Sequence, residues 1–290
     1  MKLGAHLSAA GGVWRAAEAA PSATCEALQV FLRPPGRWAA TAADPGEAER
    51  FARASAAAGL DGRCFAHAPY LLNLAAEDEE LRERSRRVLV EELQRAGRLG
   101  LAGVVLHPGS AGVGGDREAA VSRCRDALAA AVEQAGSGAA RVLVEGAAGA
   151  GGQVGTTPGE LARLAAGCRP ESVGLCLDLA HMWAAGYDLR GDGWPRLLDE
   201  VGETWARPAP HLWHGNDTPS ELGSRRDRHA APGEGRLGER FFREFLADER
   251  AAAAPLVVEI PPGDDNANVR EALSRLRGWQ PCAGQRRRKR

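Results

Sequence analysis

The sequence predicts a single α/β domain folded as a (β/α)8 barrel of TIM type, with a metal site at the mouth formed by the carboxyl ends of its strands. Eight short apolar segments alternate with helix-like stretches over most of the 290 residues, a length that suits one such barrel. Most of these segments end in a histidine or an acidic residue. An open doubly wound sheet would give the same alternation, so the strand ends decide between the two folds.

The predicted strands are brief, β-branched or mixed apolar segments bounded by glycine, proline or charged residues. They cover residues 3–7, 27–31, 63–66, 103–106, 141–144, 173–177, 211–213 and 256–259. Residues 77–99 and 117–134 repeat apolar side chains every three or four positions, which predicts amphipathic helices. The glycine-rich segment 146–155 directly follows a strand and is predicted to be a loop at the mouth.

Composition favours an ordinary globular protein and excludes several classes. The net charge of −1 gives no overall attraction to nucleic acid, so DNA binding would need a local basic surface. No segment approaches the roughly 20 apolar residues of a membrane span, and His6 and Ser8 interrupt any signal-like start, so we expect a cytoplasmic protein with no membrane partner. Six cysteines without a C-x-x-C pair indicate reduced thiols, of which Cys64 and Cys176 are expected to be buried.

Residues 1–280 are predicted to form the one domain, and residues 281–290 a basic tail. The tail ends in five consecutive arginine or lysine residues, which is typical of a disordered, solvated end. The alternative is a salt-sensitive contact with phosphates that does not depend on nucleotide sequence.

The polar residues that follow the apolar segments predict a metal site. Imidazole and carboxylate groups recur about every 33 to 45 residues along the chain, and in a barrel all strand ends meet at one mouth. Two short pairs, D-L-A-H and D-R-H, add further ligand types. The nine candidate ligands are His67, His107, Glu145, Asp178, His181, His214, Asp227, His229 and Glu259. Nine ligands are too many for one tetrahedral ion and suit two or three.

Each candidate also has a structural interpretation on its own. A single polar residue at a strand end is more often a hydrogen-bonded structural residue than a ligand, and Asp178 could serve only as a helix cap. The joint pattern favours the metal site, because the structural interpretation needs a separate explanation at each strand end, whereas one metal site explains all of them. His6 also belongs to the mouth, whereas His211 lies near the start of its strand and is expected to be structural.

Segments around these residues closely resemble the endonuclease IV family of abasic-site nucleases. The family's early motifs are matched by G-A-H-L-S-A-A-G-G at 4–12, H-A-P-Y-L-L-N-L-A at 67–75 and L-H-P-G-S at 106–110. Its later motifs are matched by C-L-D-L-A-H-M-W-A-A-G-Y-D-L at 176–189, H-G-N-D-T-P-S-E-L-G-S-R-R-D-R-H-A at 214–230 and G-E-G-R-L-G at 233–238. The likeness runs in order from about residue 3 to residue 262.

The resemblance implies three zinc ions at the mouth of a TIM barrel. The first ion would be held by His67, His107 and Glu145. Glu145 would bridge to a second ion, whose other ligands would be Asp178, His214 and Glu259. The third would be held by His181, Asp227 and His229.

The resemblance also implies a reaction and a substrate. Glu145 would be the catalytic bridging residue, and a metal-bound hydroxide would attack the phosphate 5′ to an abasic site in double-stranded DNA. The expected products are a 3′-hydroxyl and a 5′-deoxyribose phosphate, and the same site would trim blocked 3′ ends. The family resemblance suggests a monomer.

Residues near the predicted ligands are expected to contact DNA. Tyr70 and Leu71 resemble the family residues that enter the duplex at the lesion, although ordinary packing would explain them equally. Three arginines flank Asp227 and are expected at phosphates, although a solvated basic loop would look the same; they are Arg225, Arg226 and Arg228.

Two loops depart from the family pattern. R-P-P-G-R-W at 33–38 replaces the usual K-N-x-x-x-W, and Arg33 and Arg37 are expected to supply the basic DNA contacts there. After Glu145, G-A-A-G-A-G replaces N-T-A-G-x-G, which removes a polar group that could orient ligands. No predicted metal ligand is lost.

Two alternative functions compete with the nuclease. A sugar isomerase or epimerase on the same barrel needs only one or two metals, so the third ligand set and the R-x-D-R-H segment at 225–229 argue against it. A relative that binds lesions without cutting is opposed by the presence of all nine ligands.

Overall fold

The chain forms a closed barrel of eight parallel strands in which each strand pairs with the next, and the last pairs with the first. The structure is a computed structural model that describes residues 1–39, 44–205 and 210–281. The strands are β1 (Leu3–His6), β2 (Ala27–Phe31), β3 (Cys64–His67), β4 (Gly103–Leu106), β5 (Val142–Glu145), β6 (Val173–Asp178), β7 (Leu212–His214) and β8 (Leu256–Val258). Leu3 opposite Leu256 and Ala5 opposite Val258 close the barrel, which confirms the predicted fold over the open sheet.

All eight predicted strands are present, with ends that differ from the prediction by at most one residue. At five mouth positions the polar residue belongs to the strand itself. His6 ends β1, His67 ends β3 and Glu145 ends β5, while Asp178 ends β6 opposite His214, which ends β7. The backbone ladder therefore fixes these five side chains more rigidly than a loop would.

The α-helices surround the barrel and connect successive strands. They are α1 (Val13–Ala19), α2 (Glu47–Ala57), α3 (Glu79–Arg98), α4 (Arg117–Ala135), α5 (Pro158–Ala165), α6 (Leu179–Ala185), α7 (Gly193–Thr204), α8 (Gly238–Ala247) and α9 (Ala267–Trp279). The two predicted helices correspond to α3 and α4, each of which begins at an aspartate whose carboxylate accepts a first-turn N–H. Among the described helices, none is long and apolar enough to cross a membrane.

An inner core layer fills the barrel below the mouth, separate from the larger core between the sheet and the helices. Its members are Ala27, Phe65, Val105, Leu143, Cys176, Leu212 and Val257. Burial raises the pKa of the Cys176 thiol to about 12, so this residue is a neutral core side chain. Cys64 is also buried, as predicted. The predicted basic tail lies outside the described residues from 282 onward.

Candidate metal centre

The polar residues at the strand ends form a second layer directly above the inner core layer. Side chains along a strand alternate between its two faces, so a residue two positions after a core-layer residue also faces the interior, one layer nearer the mouth. Every member of the inner core layer is followed two positions later by a polar residue. With His6 of β1, the polar layer is completed by Gln29, His67, His107, Glu145, Asp178, His214 and Glu259.

The first ligand set converges on one oxygen of Glu145. The Nε2 atoms of His67 and His107 each lie 3.3 Å from Glu145 Oε2. His67 Nδ1 is 2.7 Å from the carbonyl of Ala68, and a carbonyl can only accept, so the ring proton sits on Nδ1 and the Nε2 lone pair faces the site. Glu145 Oε2 is buried and has no hydrogen-bond partner within the described residues. Two nitrogens and an oxygen that converge without a hydrogen bond are arranged as ligands around an ion.

The second set surrounds Nδ1 of His214, which lies at the end of β7. This nitrogen is 2.8 Å from Glu145 Oε1, 3.1 Å from Glu259 Oε2 and 3.8 Å from Asp178 Oδ2. Glu145 thus presents one oxygen to each of the first two sets. The four side chains offer ligand atoms that all lie within 4.8 Å of one another.

The third set joins α6 to the loop after β7. Asp227 Oδ1 lies 3.2 Å from His181 Nε2 and 3.3 Å from His229 Nε2, and the two nitrogens are themselves 3.3 Å apart. His181 Nδ1 is 3.0 Å from the Gly146 carbonyl, and His229 Nδ1 is 3.2 Å from the Glu259 carbonyl. Backbone acceptors therefore take the Nδ1 proton of both rings and direct both Nε2 atoms to the centre of the set.

Asp178 caps a helix with one carboxylate oxygen and faces the cluster with the other. Its Oδ1 accepts a hydrogen bond from the His181 backbone N–H at 2.9 Å and so caps α6. Its Oδ2 faces the cluster, 3.5 Å from His229 Nε2 and 3.8 Å from His214 Nδ1. Capping with one oxygen fixes the direction of the other toward the site.

The charges of this cluster compensate one another. Burial opposes ionisation of Glu145, but the imidazoles of His107 and His214 hold its pKa well below the usual range. Burial likewise opposes a charge on His229, but Asp178 and Asp227 raise its pKa to about 9. The carboxylates of the cluster thus favour positive charge beside them, which is the electrostatic requirement of a cation site.

Two buried amides that the sequence analysis did not single out hold the ligands in place. Asn216 donates to Asp178 Oδ2 at 2.6 Å and accepts from the Glu259 backbone N–H at 2.8 Å. Gln29 donates to Glu259 Oε1 at 2.6 Å and accepts from His214 Nε2 at 2.8 Å. The signal for Gln29 was a lone polar residue inside the apolar segment A-L-Q-V-F.

Asp217 is a third residue that the sequence analysis missed, and it holds the loop that carries Asp227 and His229. Its buried carboxylate accepts from five backbone N–H groups at 2.8 to 3.1 Å; they belong to Thr218, Gly233, Gly235, Leu237 and Gly238. Its backbone also pairs with Ala230 in both directions, at 3.1 and 2.7 Å. The carboxylate therefore fastens both ends of the loop beside the third ligand set.

Most of the residues predicted to contact DNA lie exposed at the mouth. Tyr70 is 60% exposed, and its ring centroid is 5.4 Å from that of His67 and 6.0 Å from that of His107. Leu71 beside it is half-buried. The exposed arginines of the mouth include Arg37, Arg225, Arg226 and Arg228.

Arg33 is placed differently from the expectation that it contacts DNA. It is only 3% exposed, and its guanidinium donates to Glu92 Oε1 at 2.6 Å, to Glu91 Oε2 at 2.9 Å and to the Trp38 carbonyl at 2.6 Å. Two of these acceptors lie on α3, and the third belongs to the loop after β2 itself. Arg33 therefore anchors the loop after β2, and the DNA contact predicted for it is corrected to a structural role.

His211 lies outside the cluster, at the end of β7 remote from His214. Its Nδ1 accepts a hydrogen bond from the backbone N–H of Leu175 at 3.3 Å. Burial, with the nearby charge of Arg141, lowers its pKa to about 4. The ring is therefore neutral near pH 7 and serves the strand pairing between β6 and β7.

The fold and the site define a class, the barrel proteins whose strand ends carry metal-ligand side chains. The family described as a xylose isomerase-like TIM barrel matches residues 17–279. A curated protein from Oleidesulfovibrio alaskensis named probable endonuclease 4 is 43% identical over 264 residues, covering 90% of this chain and 89% of its own. Its namesake from Chloroflexus aurantiacus is 35% identical over 280 residues, covering 95% and 97%.

A solved structure gives the same result. Endonuclease IV from Thermus thermophilus superimposes with a TM-score of 0.85 at 36% identity, covering 96% of this chain and 98% of that one. The chain belongs to the endonuclease IV family, and it is a nuclease of that family. A D-tagatose 3-epimerase-like protein matches with a TM-score of 0.73 at 17% identity, which shows a shared fold alone.

Proposed function

We propose that this protein hydrolyses the phosphodiester bond 5′ to abasic sites in double-stranded DNA, with three zinc ions bound at the barrel mouth. The products would be a 3′-hydroxyl and a 5′-deoxyribose phosphate, and blocked 3′ ends would be trimmed at the same site. The observation that carries the proposal is the convergence of nine imidazole and carboxylate side chains into three sets, two of which share Glu145.

The chemistry of the donors supports zinc. Zinc accepts histidine nitrogen and carboxylate oxygen, and its histidine ligands usually donate their other ring nitrogen to a carbonyl or carboxylate. His67, His181 and His229 have this arrangement, with Nδ1 on a backbone carbonyl. We assign His67, His107 and Glu145 to the first ion, Glu145, Asp178, His214 and Glu259 to the second, and His181, Asp227 and His229 to the third.

The residues of the centre would divide the catalytic work. Zinc, when bound, supplies a Lewis acid that lowers the pKa of water and offsets charge on the phosphate. Glu145, with its two oxygens directed to different ligand sets, would hold two ions at a fixed separation. Asn216 and Gln29 would keep the carboxylates of Asp178 and Glu259 directed to the site during the reaction.

Lesion recognition would rest on the rim of the mouth. Tyr70 and Leu71 follow directly after the His67 strand end, and an exposed aromatic ring there could occupy the duplex where a base is missing. Arg225, Arg226 and Arg228 are exposed beside Asp227 and would meet phosphates, as would Arg37 on the loop after β2. Such contacts position the strand without reading its sequence, which suits a repair enzyme that acts as a monomer in the cytoplasm.

The isomerase or epimerase alternative is not favoured. The curated relatives at 35% and 43% identity are named as endonucleases and cover nearly the whole chain. The epimerase-like structure agrees only in fold, and the third ligand set has no use in a reaction that needs one or two metals.

The test is cleavage of an end-labelled duplex that carries one abasic site, by the wild type and by the isosteric variant Glu145→Gln. We expect one nick 5′ to the lesion with an extendable 3′-hydroxyl, and about three metal ions per chain by mass spectrometry. The variant should lose metal and at least roughly a hundredfold in rate, because bound ions contribute several kcal/mol of transition-state stabilisation.

Two controls make the experiment decisive. An undamaged duplex of the same sequence should remain intact, and Glu244→Gln, an exposed change on α8 that faces Arg240, should leave metal content and rate unchanged. An intact lesion duplex together with full metal content would overturn the proposal, and interconversion of ketose sugars would then be the next assay.

A further inference from the structure

Gln29 lies buried beneath the ligands and joins three side chains from neighbouring strands. Its amide nitrogen is 2.6 Å from Glu259 Oε1 and 3.0 Å from His6 Nδ1, and its amide oxygen is 2.8 Å from His214 Nε2. The residue has no solvent exposure. It therefore contacts two proposed ligands of the second ion, Glu259 and His214.

The partners allow only one orientation of the amide. A charged carboxylate can only accept, so the group 2.6 Å from Glu259 Oε1 must be the NH2 group. The amide oxygen then faces His214, and because this oxygen can only accept, the ring proton of His214 must sit on Nε2. Nδ1, which faces Glu145 and Glu259, is therefore the ring nitrogen of His214 that could bind an ion.

The orientation of His214 differs from that of the other ligand histidines. His67, His181 and His229 present Nε2 to the site, and a backbone carbonyl takes the Nδ1 proton of each. His214 presents Nδ1 instead, and a side chain takes its Nε2 proton. A backbone acceptor cannot be changed by mutation, but Gln29 can, so His214 is the ligand whose tautomer can be tested directly.

We propose that Gln29 is a positioning residue for the second ion, because it fixes the His214 tautomer and the direction of the Glu259 carboxylate. The inference rests on the proposed metal centre and names the residue on which one of its ions depends. Loss of such a supporting hydrogen bond typically weakens metal binding by about 10- to 100-fold. The first and third sets contain neither Glu259 nor His214, so their ions should bind as in the wild type.

The experiment compares Gln29→Met, which keeps the length of the side chain and removes both hydrogen bonds to ligands, with Gln29→Asn, whose shorter amide cannot reach them. Gln153→Met is the matched control, because the side-chain oxygen of this glutamine accepts from the backbone N–H groups of Gly149 and Ala150 on a mouth loop and from no candidate ligand. Zinc is titrated against a chelator, and ions per chain are counted at each free-zinc level. Thermal unfolding of each protein checks that it is folded.

We expect both Gln29 variants to lose one ion of three at a free-zinc level about 10- to 100-fold above that at which the wild type loses it. Excess zinc should restore their cleavage of the abasic duplex, and Gln153→Met should match the wild type. Unchanged zinc affinity in both folded Gln29 variants would overturn the inference alone, as would simultaneous loss of all three ions. A wild type that binds no zinc would overturn the proposed metal centre, and the inference with it.

Discussion

Arg33 and Glu92 form a buried ion pair, and breaking it should lower the free energy of unfolding by several kcal/mol. The Arg33 and Glu92 side chains are 2% and 1% exposed, and Nε lies 2.6 Å from Oε1. Arg33→Met would leave the Glu92 carboxylate buried without its hydrogen-bonded cation, which costs about 3–5 kcal/mol. The second partner, Glu91, is 55% exposed and adds less than about 1 kcal/mol. The free energy of unfolding should therefore fall by about 3–5 kcal/mol in urea titrations at pH 7.

Arg37 provides the opposite expectation four residues further along the same loop. Because Arg37 is exposed, Arg37→Ala should leave the free energy of unfolding within about 0.5 kcal/mol of the wild-type value. It should reduce the steepness of the plot of log binding constant against log salt concentration by about one for an abasic duplex. Arg33→Met should not change that slope. The double variant Arg33→Met/Glu92→Met should recover most of the lost stability, because an apolar pair can replace a buried ion pair. If Arg33→Met costs under about 1 kcal/mol and lowers the salt slope, the structural role of Arg33 is wrong.

Two further predictions concern the loop after β7 and His211. Asp217→Asn places an amide NH2 group against backbone N–H donors, so the unfolding free energy should fall by about 2–4 kcal/mol and one zinc ion should bind more weakly. The control Glu221→Gln, an exposed change on the same loop that faces Arg236, should alter neither quantity. Equal metal titrations for Asp217→Asn and the wild type would count against the role of Asp217. Burial lowers the pKa of His211 to about 4 in the folded protein. Below about pH 6.5 this histidine is protonated in the unfolded chain but stays neutral in the folded one, so the free energy of unfolding falls until about pH 4. The stability difference between wild type and His211→Asn, which cancels the titration of the other histidines, should therefore shrink from pH 7 to pH 4, and a constant difference would contradict this account.

The barrel and the grouping of the candidate ligands at its mouth could be predicted from the sequence because one periodicity governs both. Alternation along a strand places Leu143 in the core layer and Glu145 above it, so a polar residue that ends an apolar segment is already on the interior face. The parallel closed sheet then brings these positions together at one end. The alternation along each strand therefore predicts which side chains face the interior, so residues far apart in the sequence could be assigned to one site.

The residues that the prediction missed depend on partners far away in the chain. Gln29 acts on Glu259, 230 positions later, and no local pattern marks that pairing. Arg33 beside Pro34 and Pro35 suggested an exposed basic loop, but its carboxylate partner Glu92 comes 59 positions later, on α3. Periodicity predicts which face a residue occupies, whereas the hydrogen bonds among residues on that face follow from tertiary packing.

The three ligand sets differ in whether barrel strands or a loop hold their side chains. The first two draw their side chains from positions at or next to the ends of β3 to β8, which the strand ladder fixes, whereas Asp227 and His229 come from a loop that Asp217 fastens. An epimerase-like protein shares this barrel at a TM-score of 0.73 with 17% identity, so the barrel alone does not determine the chemistry. The part of the proposed centre that a barrel could gain or lose without rebuilding its strands is the third set. If three ions bind as proposed, the loop between β7 and α8, with Asp217 as its anchor, is the element that adapts this barrel to the third ion.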